Sequence, residues 1–159
     1  MRLDIDLSAQ RLSLHDHDGQ LLAAYPISSA LNGPGETHGS GCTPRGRHRV
    51  RACIGREAPA GAVFVGRRWT GEIFSTELAE QHPERDWILS RILWLGGLEP
   101  GINRYAQVDT QSRFIYIHGT ADEALLGQPV SHGCIRMAND DVIALFNRVE
   151  AGCAVDIHE

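Results

Sequence analysis

The feature that most narrows what this chain can become is strict two-residue alternation at its start, where Leu3, Ile5 and Leu7 alternate with charged residues. Side chains two apart share one face of a strand, whereas an amphipathic helix needs apolar residues three and four apart. Leu12 and Leu14 resume the pattern, and Asp18-Gly19 supplies a hairpin turn before Leu21 to Ile27, so the chain opens as a β-meander. A second alternating segment sets His48, Val50, Ala52 and Ile54 on one face and Arg47, Arg49 and Arg51 on the other. It predicts a strand whose arginines form a solvated face. Apolar pieces at Ala62 to Val65 and Trp87 to Leu95 fit further strands, the second being compatible also with a short helix.

Between Asn32 and Gly46 the chain carries Gly33, Pro34, Gly35, Gly39, Gly41, Pro44 and Gly46, which exclude both a helix and a central strand. Loops of this length are often functional. The β-branched and aromatic run Phe114, Ile115, Tyr116, Ile117 leads into His118 and Gly119, placing that histidine at a strand end. Asn139 reads as the N-cap of a helix with Asp140 and Asp141 in its first turn and Val142, Leu145, Phe146 and Val149 on one stripe. Gly152 ends it, and Cys153, Val155 and Ile157 alternate as a closing strand. The expected fold is mainly β with one or two helices, in a single domain spanning residues 1–159.

Length and composition agree with that: 159 residues, 42% apolar, suffice for one core. A net charge of -5 does not point to nucleic acid or an anionic membrane, and no basic patch interleaved with aromatics suggests nucleic acid. Every basic residue is Arg, a bias that fits genome composition and also supplies planar forks for carboxylates. The N-terminus lacks the apolar run of a secretory signal, which gives the expectation of a cytoplasmic protein, or a periplasmic one if a signal has been trimmed. Cys42, Cys53, Cys134 and Cys153 form no Cys-x-x-Cys pair, and reduced thiols are expected.

Chemistry concentrates in Ser131, His132, Gly133, Cys134, Ile135 and Arg136. A nucleophilic thiol needs access and a nearby base, and a tight glycine turn can expose it, so Cys134 is the candidate nucleophile. The other three cysteines read as small buried apolar residues. His118, at the end of an apolar strand, is the natural base; His132, two residues from Cys134 along the turn, is expected to point away. A zinc site built from His118, His132 and Cys134 is the alternative that these residue types leave open.

The run from Ile117, His118, Gly119 and Thr120 through Gly127, Pro129 and Ser131 to Met137 resembles the signature of YkuD-type L,D-transpeptidases. Asp6 to Leu12 is similar to that family's first hairpin, and Asn32 to Gly35 with Gly41, Thr43, Pro44 and Gly46 is similar to its glycine-rich loop. The resemblance implies a β-sandwich-like mixed domain in which Cys134 attacks a carbonyl, His118 accepts its proton and the Gly119 carbonyl orients the imidazole. It implies an oxyanion hole from backbone N–H groups of His132, Gly133 and Cys134. Arg136 falls at the family's arginine, either bracing the loop or touching substrate, with Ser131 in support. Tyr116, Thr120 and Arg104 are lining candidates by position relative to His118, and Tyr116 reads equally as a packed strand residue.

The implied substrates are peptidoglycan stem peptides, cut between meso-diaminopimelate and D-Ala through a thioester, with no cofactor. An acceptor amine would make the enzyme a transpeptidase and water an L,D-carboxypeptidase, the latter favoured slightly by the lack of a signal. Carbapenems, which acylate the cysteine in enzymes of this type, are expected to do so here. The rivals are a catalytically silent peptidoglycan-binding module on the same scaffold, and a cysteine peptidase or amidase of other specificity.

Overall fold

The computed structural model describes all 159 residues. Ten strands and two short α-helices follow one another as β1 (Arg2–Asp6), β2 (Arg11–His15), β3 (Leu21–Pro26), β4 (Gly46–Ile54), β5 (Ala62–Val65), β6 (Arg68–Ile73) and α1 (Thr76–Gln81). The second half holds β7 (Ile88–Gly97), β8 (Tyr116–Gly119), β9 (Ile135–Met137), α2 (Asn139–Phe146) and β10 (Ala154–His158). The mainly β expectation therefore holds. The layers come from one mixed sheet, ordered β3-β2-β1-β10-β4-β7-β5-β6, with β8 on β7 and β9 on β8. The pairs β1 with β10 and β8 with β9 are parallel, and the others are antiparallel.

The opening meander forms as the alternation dictates, with Leu3, Ile5, Leu12 and Leu14 fully buried. In the first hairpin Gln10 takes a positive φ of 51° and its buried amide ties Leu7 O to Ser29. In the second, the Asp16 carboxylate accepts from Asp18 N and Gln20 N at 2.9 Å, holding the turn before Gly19. Arg47, Arg49 and Arg51 are exposed, as a solvated face requires. The alternation of β4 breaks at a bulge between Val50 and Ala52, which leaves Ala52 and Ile54 half-buried.

Trp87 to Leu95 resolves as a strand, β7, not a helix. It is buried on both faces, with Leu93 and Leu95 in one hydrophobic cluster and Ile92 in another with Phe64 and Tyr116, which is why its sequence is nearly continuously apolar. A bulge between Leu89 and Ile92, with buried Ser90 at φ 70°, re-aims the strand under the site.

The main core joins β1, β2, β4, β7, β8, β9 and β10 to the Val142, Leu145 and Phe146 face of α2. A smaller cluster of Ala58, Ala62, Phe64, Ile92 and Tyr116, with Cys134 packed against it, lies under the functional cavity. No helix is long and apolar enough to cross a membrane.

Three expectations are corrected. Asn139 is the first helical residue of α2; the cap position falls on Ala138, without a side-chain cap. Its amide is taken by tertiary partners instead: Ser90 Oγ donates to Asn139 Oδ1 at 2.6 Å, and Asn139 Nδ2 donates to Thr120 O and Glu123 Oε1 at 2.9 Å. Val149 is buried but lies beyond the last helical residue. The run at Phe114 is not all strand: Phe114 is exposed at φ 57°, and pairing starts at Tyr116.

Candidate active site

His118 sits one residue before the end of β8, between β7 and β9, and is 1% exposed. Its Nδ1 lies 2.7 Å from Gly119 O. A carbonyl only accepts, so this contact assigns the ring hydrogen to Nδ1 and leaves Nε2 as the lone-pair nitrogen. Burial, the largest influence, pushes the imidazole below its ordinary range, opposed by the Gly119 bond and the Asp86 charge, so the ring is neutral at pH 7. Gly119 can be nothing larger: a Cβ there would strike the Asn139 side chain and come within 2.6 Å of Leu89 O.

Cys134 ends the turn before β9. Its Sγ accepts from Tyr116 N at 3.3 Å and donates to Phe114 O at 3.4 Å. Burial pushes the thiol up to about 12, outweighing the Tyr116 N–H and the charges of Arg136 and Arg113, which favour thiolate. The resting pair is therefore neutral thiol and neutral imidazole, a state in which the cysteine needs a base to become nucleophilic. Both side chains line one cavity of about 400 Å³, together with Tyr116, Ser131, His132 and Arg136.

The turn carrying Cys134 is held by hydroxyls. Ser131 Oγ donates to Cys134 O at 2.6 Å and accepts from Gly133 N at 3.2 Å. Thr43, fully buried in the glycine-rich loop, donates to Gly133 O at 2.9 Å and accepts from Ala30 N at 3.0 Å. Gly133 adopts φ 133°, and a Cβ there would press on Ile115 and Cys42 O. Because Gly133 N–H is engaged by Ser131, the backbone donors left on this turn are those of His132 and Cys134.

Arg136 is buried, but it does not brace the turn through loop carbonyls as its position suggested. Its guanidinium meets Asp86 at 3.2 Å and Asp122 at 3.7 Å, tying the segment before β7 to the segment after β8. His132 points outward, 78% exposed, with Nδ1 3.7 Å from Asp86. It does not converge with His118 and Cys134, and no three His, Cys, Asp or Glu side chains gather as a metal site.

Two lining candidates are displaced. Thr120 is buried and lines not this cavity but the neighbouring one that shares Asp86, His132 and Arg136, its hydroxyl accepting from Asp122 N. Arg104 stacks on Tyr105 in the loop after β7 and does not reach the cavity. Tyr116 serves both of its readings, packed in the smaller core and lining the cavity.

Sequence reasoning missed Asp86, Arg67 and Arg113, which also line the cavity. The two-residue connection Gly66-Arg67 between apolar Phe64-Val65 and Trp69 is a hairpin signal that could have located Arg67. Asp86 and Arg113 carry no local signal.

Comparison with known proteins places this geometry. The family model described as YkuD, L,D-transpeptidase catalytic domain, matches residues 1–157. A segment of 46 residues is 48% identical to YqjB of Bacillus subtilis (strain 168), a protein provisionally named an L,D-transpeptidase, and covers 29% of this chain and 26% of YqjB. A segment of 42 residues is 52% identical to YkuD of the same organism, provisionally named likewise, covering 26% of each chain. The match thus spans about a quarter of the length of these curated relatives.

Among solved structures, an L,D-transpeptidase from Mycobacterium smegmatis aligns over 99% of this chain and 58% of its own, with TM-score 0.56 and 18% identity. L,D-transpeptidase 3 from Mycobacterium tuberculosis, in complex with a faropenem-derived adduct, aligns over 99% of this chain and 59% of its own, with TM-score 0.59 and 16% identity. These likenesses establish the shared fold. With the family model matching nearly every residue and the fold agreeing throughout, the chain belongs to the YkuD family of L,D-transpeptidase catalytic domains.

Proposed function

We propose that the protein is a cysteine acyl-transfer enzyme that opens the bond between the L-centre of meso-diaminopimelate and D-Ala in peptidoglycan tetrapeptide stems. The observation that carries this reading is the pairing in one cavity of the Cys134 thiol with an imidazole whose tautomer is fixed at 2.7 Å by Gly119 O. Nε2 of His118 takes the thiol proton as Sγ bonds to the carbonyl carbon, and the oxygen becomes an oxyanion facing the amides of His132 and Cys134. Collapse of that intermediate breaks the C–N bond. The proton on Nε2 passes to the departing D-Ala amine, leaving a thioester on Cys134.

The second half mirrors the first. An acceptor amine or a water attacks the thioester, His118 takes its proton and returns it to Sγ, and either a cross-linked peptide or a tripeptide leaves. Amine acceptance makes the enzyme a transpeptidase, water an L,D-carboxypeptidase.

The silent-module reading is disfavoured by the fixed imidazole, because binding alone gives no reason to set a tautomer beside a thiol. Thiol labelling discriminates poorly here, since a thiol held neutral reacts slowly with alkylating reagents even in an active enzyme. Turnover decides. The protein is incubated with a disaccharide tetrapeptide, alone and with an excess of a second stem peptide, and the products are read by mass spectrometry. Release of D-Ala with tripeptide, dimer or both supports the reading and names the acceptor; intact tetrapeptide in both mixtures removes it in favour of the binding module.

A further inference from the structure

Three arginines wall the cavity, and two are already engaged. Arg136 faces Asp86 and Asp122. Arg113 donates through Nη1 to Gly35 O and Glu36 O and through Nη2 to Cys42 O and Ser40 Oγ, stitching the glycine-rich loop to the segment before β8. Arg67 differs. It forms no ion pair; its Nη1 donates to Tyr116 Oη at 3.1 Å, while its guanidinium lies 4.6 Å from the Trp94 ring centre and 5.1 Å from that of Phe114. Nε and Nη2 are left without protein acceptors.

The backbone beneath Arg67 is unusual in the same direction. Gly66 and Arg67, the two residues joining β5 to β6, both have positive φ, 56° and 62°. Two-residue hairpin connections with both φ positive favour Gly, Asn and Asp, and a long side chain there is strained. Such strain persists where the surroundings fix the residue, and it gathers at functional sites. Here the aromatic stack and the tyrosine hydroxyl fix it. Arg67 also borders the adjoining cavity lined by Arg56, Ala58 and Trp69, so it stands where the Cys134 cavity opens along the surface.

We infer that Arg67 docks a carboxylate of the substrate and thereby selects stem peptides that carry one, an inference that rests on the acyl-transfer function proposed above. A guanidinium held over two neighbouring aromatic rings loses little further freedom on binding, and its open edge matches a carboxylate fork. Tyr116 links the two ends of the site: its hydroxyl holds Arg67 and its N–H holds Cys134 Sγ. A carboxylate on Arg67 therefore positions the peptide relative to the thiol. A tetrapeptide stem carries three carboxylates, and the two on the residues that flank the bond being cut lie within reach beside the thiol: the side-chain carboxylate of the third residue and the terminal carboxylate of D-Ala.

The test compares wild type with Arg67→Asn, a residue the turn favours, on three peptides: the free tetrapeptide, one amidated at the third-residue side chain and one ending in D-alaninamide. Wild type should favour the free peptide over one of the two amides by about 10–100-fold in kcat/KM, mainly through KM, and the disfavoured amide names the docked carboxylate. Arg67→Asn should lose that preference, turn over the disfavoured amide as wild type does, and melt no lower than wild type. Equal wild-type turnover of all three peptides, or a uniform slowing of all three by Arg67→Asn, overturns the role of Arg67 while leaving the acyl-transfer reading intact. No turnover of any peptide by wild type removes that reading and this inference with it.

Discussion

Cys134 and His118 are both held neutral by burial, and this fixes how the site must respond to pH. The thiol sits near 12 and the imidazole below its ordinary 6.5, so no thiolate–imidazolium pair is stored at rest. Only neutral imidazole can take the thiol proton, so kcat/KM for D-Ala release should fall on the acid side of pH 6.5 and stay level from about pH 7 to 9. A rate already falling above pH 7 would contradict an imidazole held below its ordinary range. Replacing His118 with Asn should slow acylation about 10²–10⁴-fold, read by single-turnover kinetics, without loss of fold. Thr43→Val removes a buried hydroxyl and leaves Ala30 N and Gly133 O unpaired. That should cost about 1–3 kcal/mol in denaturant melts and lower kcat as the Cys134 turn loosens.

At the scale of elements, the site hangs on the bulged strand β7 and on what crosses it. The chain from Gly61 N to Ser90 Oγ to Asn139 Oδ1, continued by Asn139 Nδ2 to Thr120 O, clamps the end of β8 beside His118. Asn139→Ala should therefore lose more stability than a helix cap's ~1 kcal/mol, because it strands buried groups as well, and the excess is measurable by urea denaturation.

This is also the scale at which sequence reading ran out. Alternation revealed β1, β2 and β4 because one face of each is buried, and the catalytic candidates were legible because a glycine turn and an apolar strand end are local signals. β6 gave no periodic signal, because it is nearly all exposed. β9, three residues long, is too short for any periodicity. Asn139 looked like a cap because capping uses the same amide that tertiary contacts claimed. Asp86, Arg67 and Arg113 enter the cavity from segments distant in sequence, and only the folded sheet brings them there.

Across the whole molecule, buried titratable groups tie stability to pH at both ends. His118 and His48, the latter held between Gly46 O and Thr110 Oγ1, are both pushed down mainly by burial. Below pH 6.5 the unfolded chain binds protons that these folded imidazoles refuse, so stability should fall as pH drops from there. Cys134 acts at the other end: above pH 9 the unfolded thiol ionises while the folded one holds its proton to about 12, so stability should fall again as pH rises. His158, raised mainly by its bond to Asp4, opposes the acid trend, but with its side chain 42% exposed it is screened. Melting curves from pH 5 to 10 should peak between about 7 and 9, and His118→Asn should blunt the acid decline. Phe146, buried against the sheet, should cost about 3–5 kcal/mol when cut to Ala.

The central claim is that Cys134 forms a thioester with a stem peptide, and trapping that adduct tests it most directly. Protein mixed with tetrapeptide is quenched in acid within seconds and mapped by peptide mass spectrometry. The account predicts a tripeptide acyl group on Cys134, absent from Cys134→Ala. An adduct on Cys42 or Cys153, or D-Ala release that survives in Cys134→Ala, would contradict it.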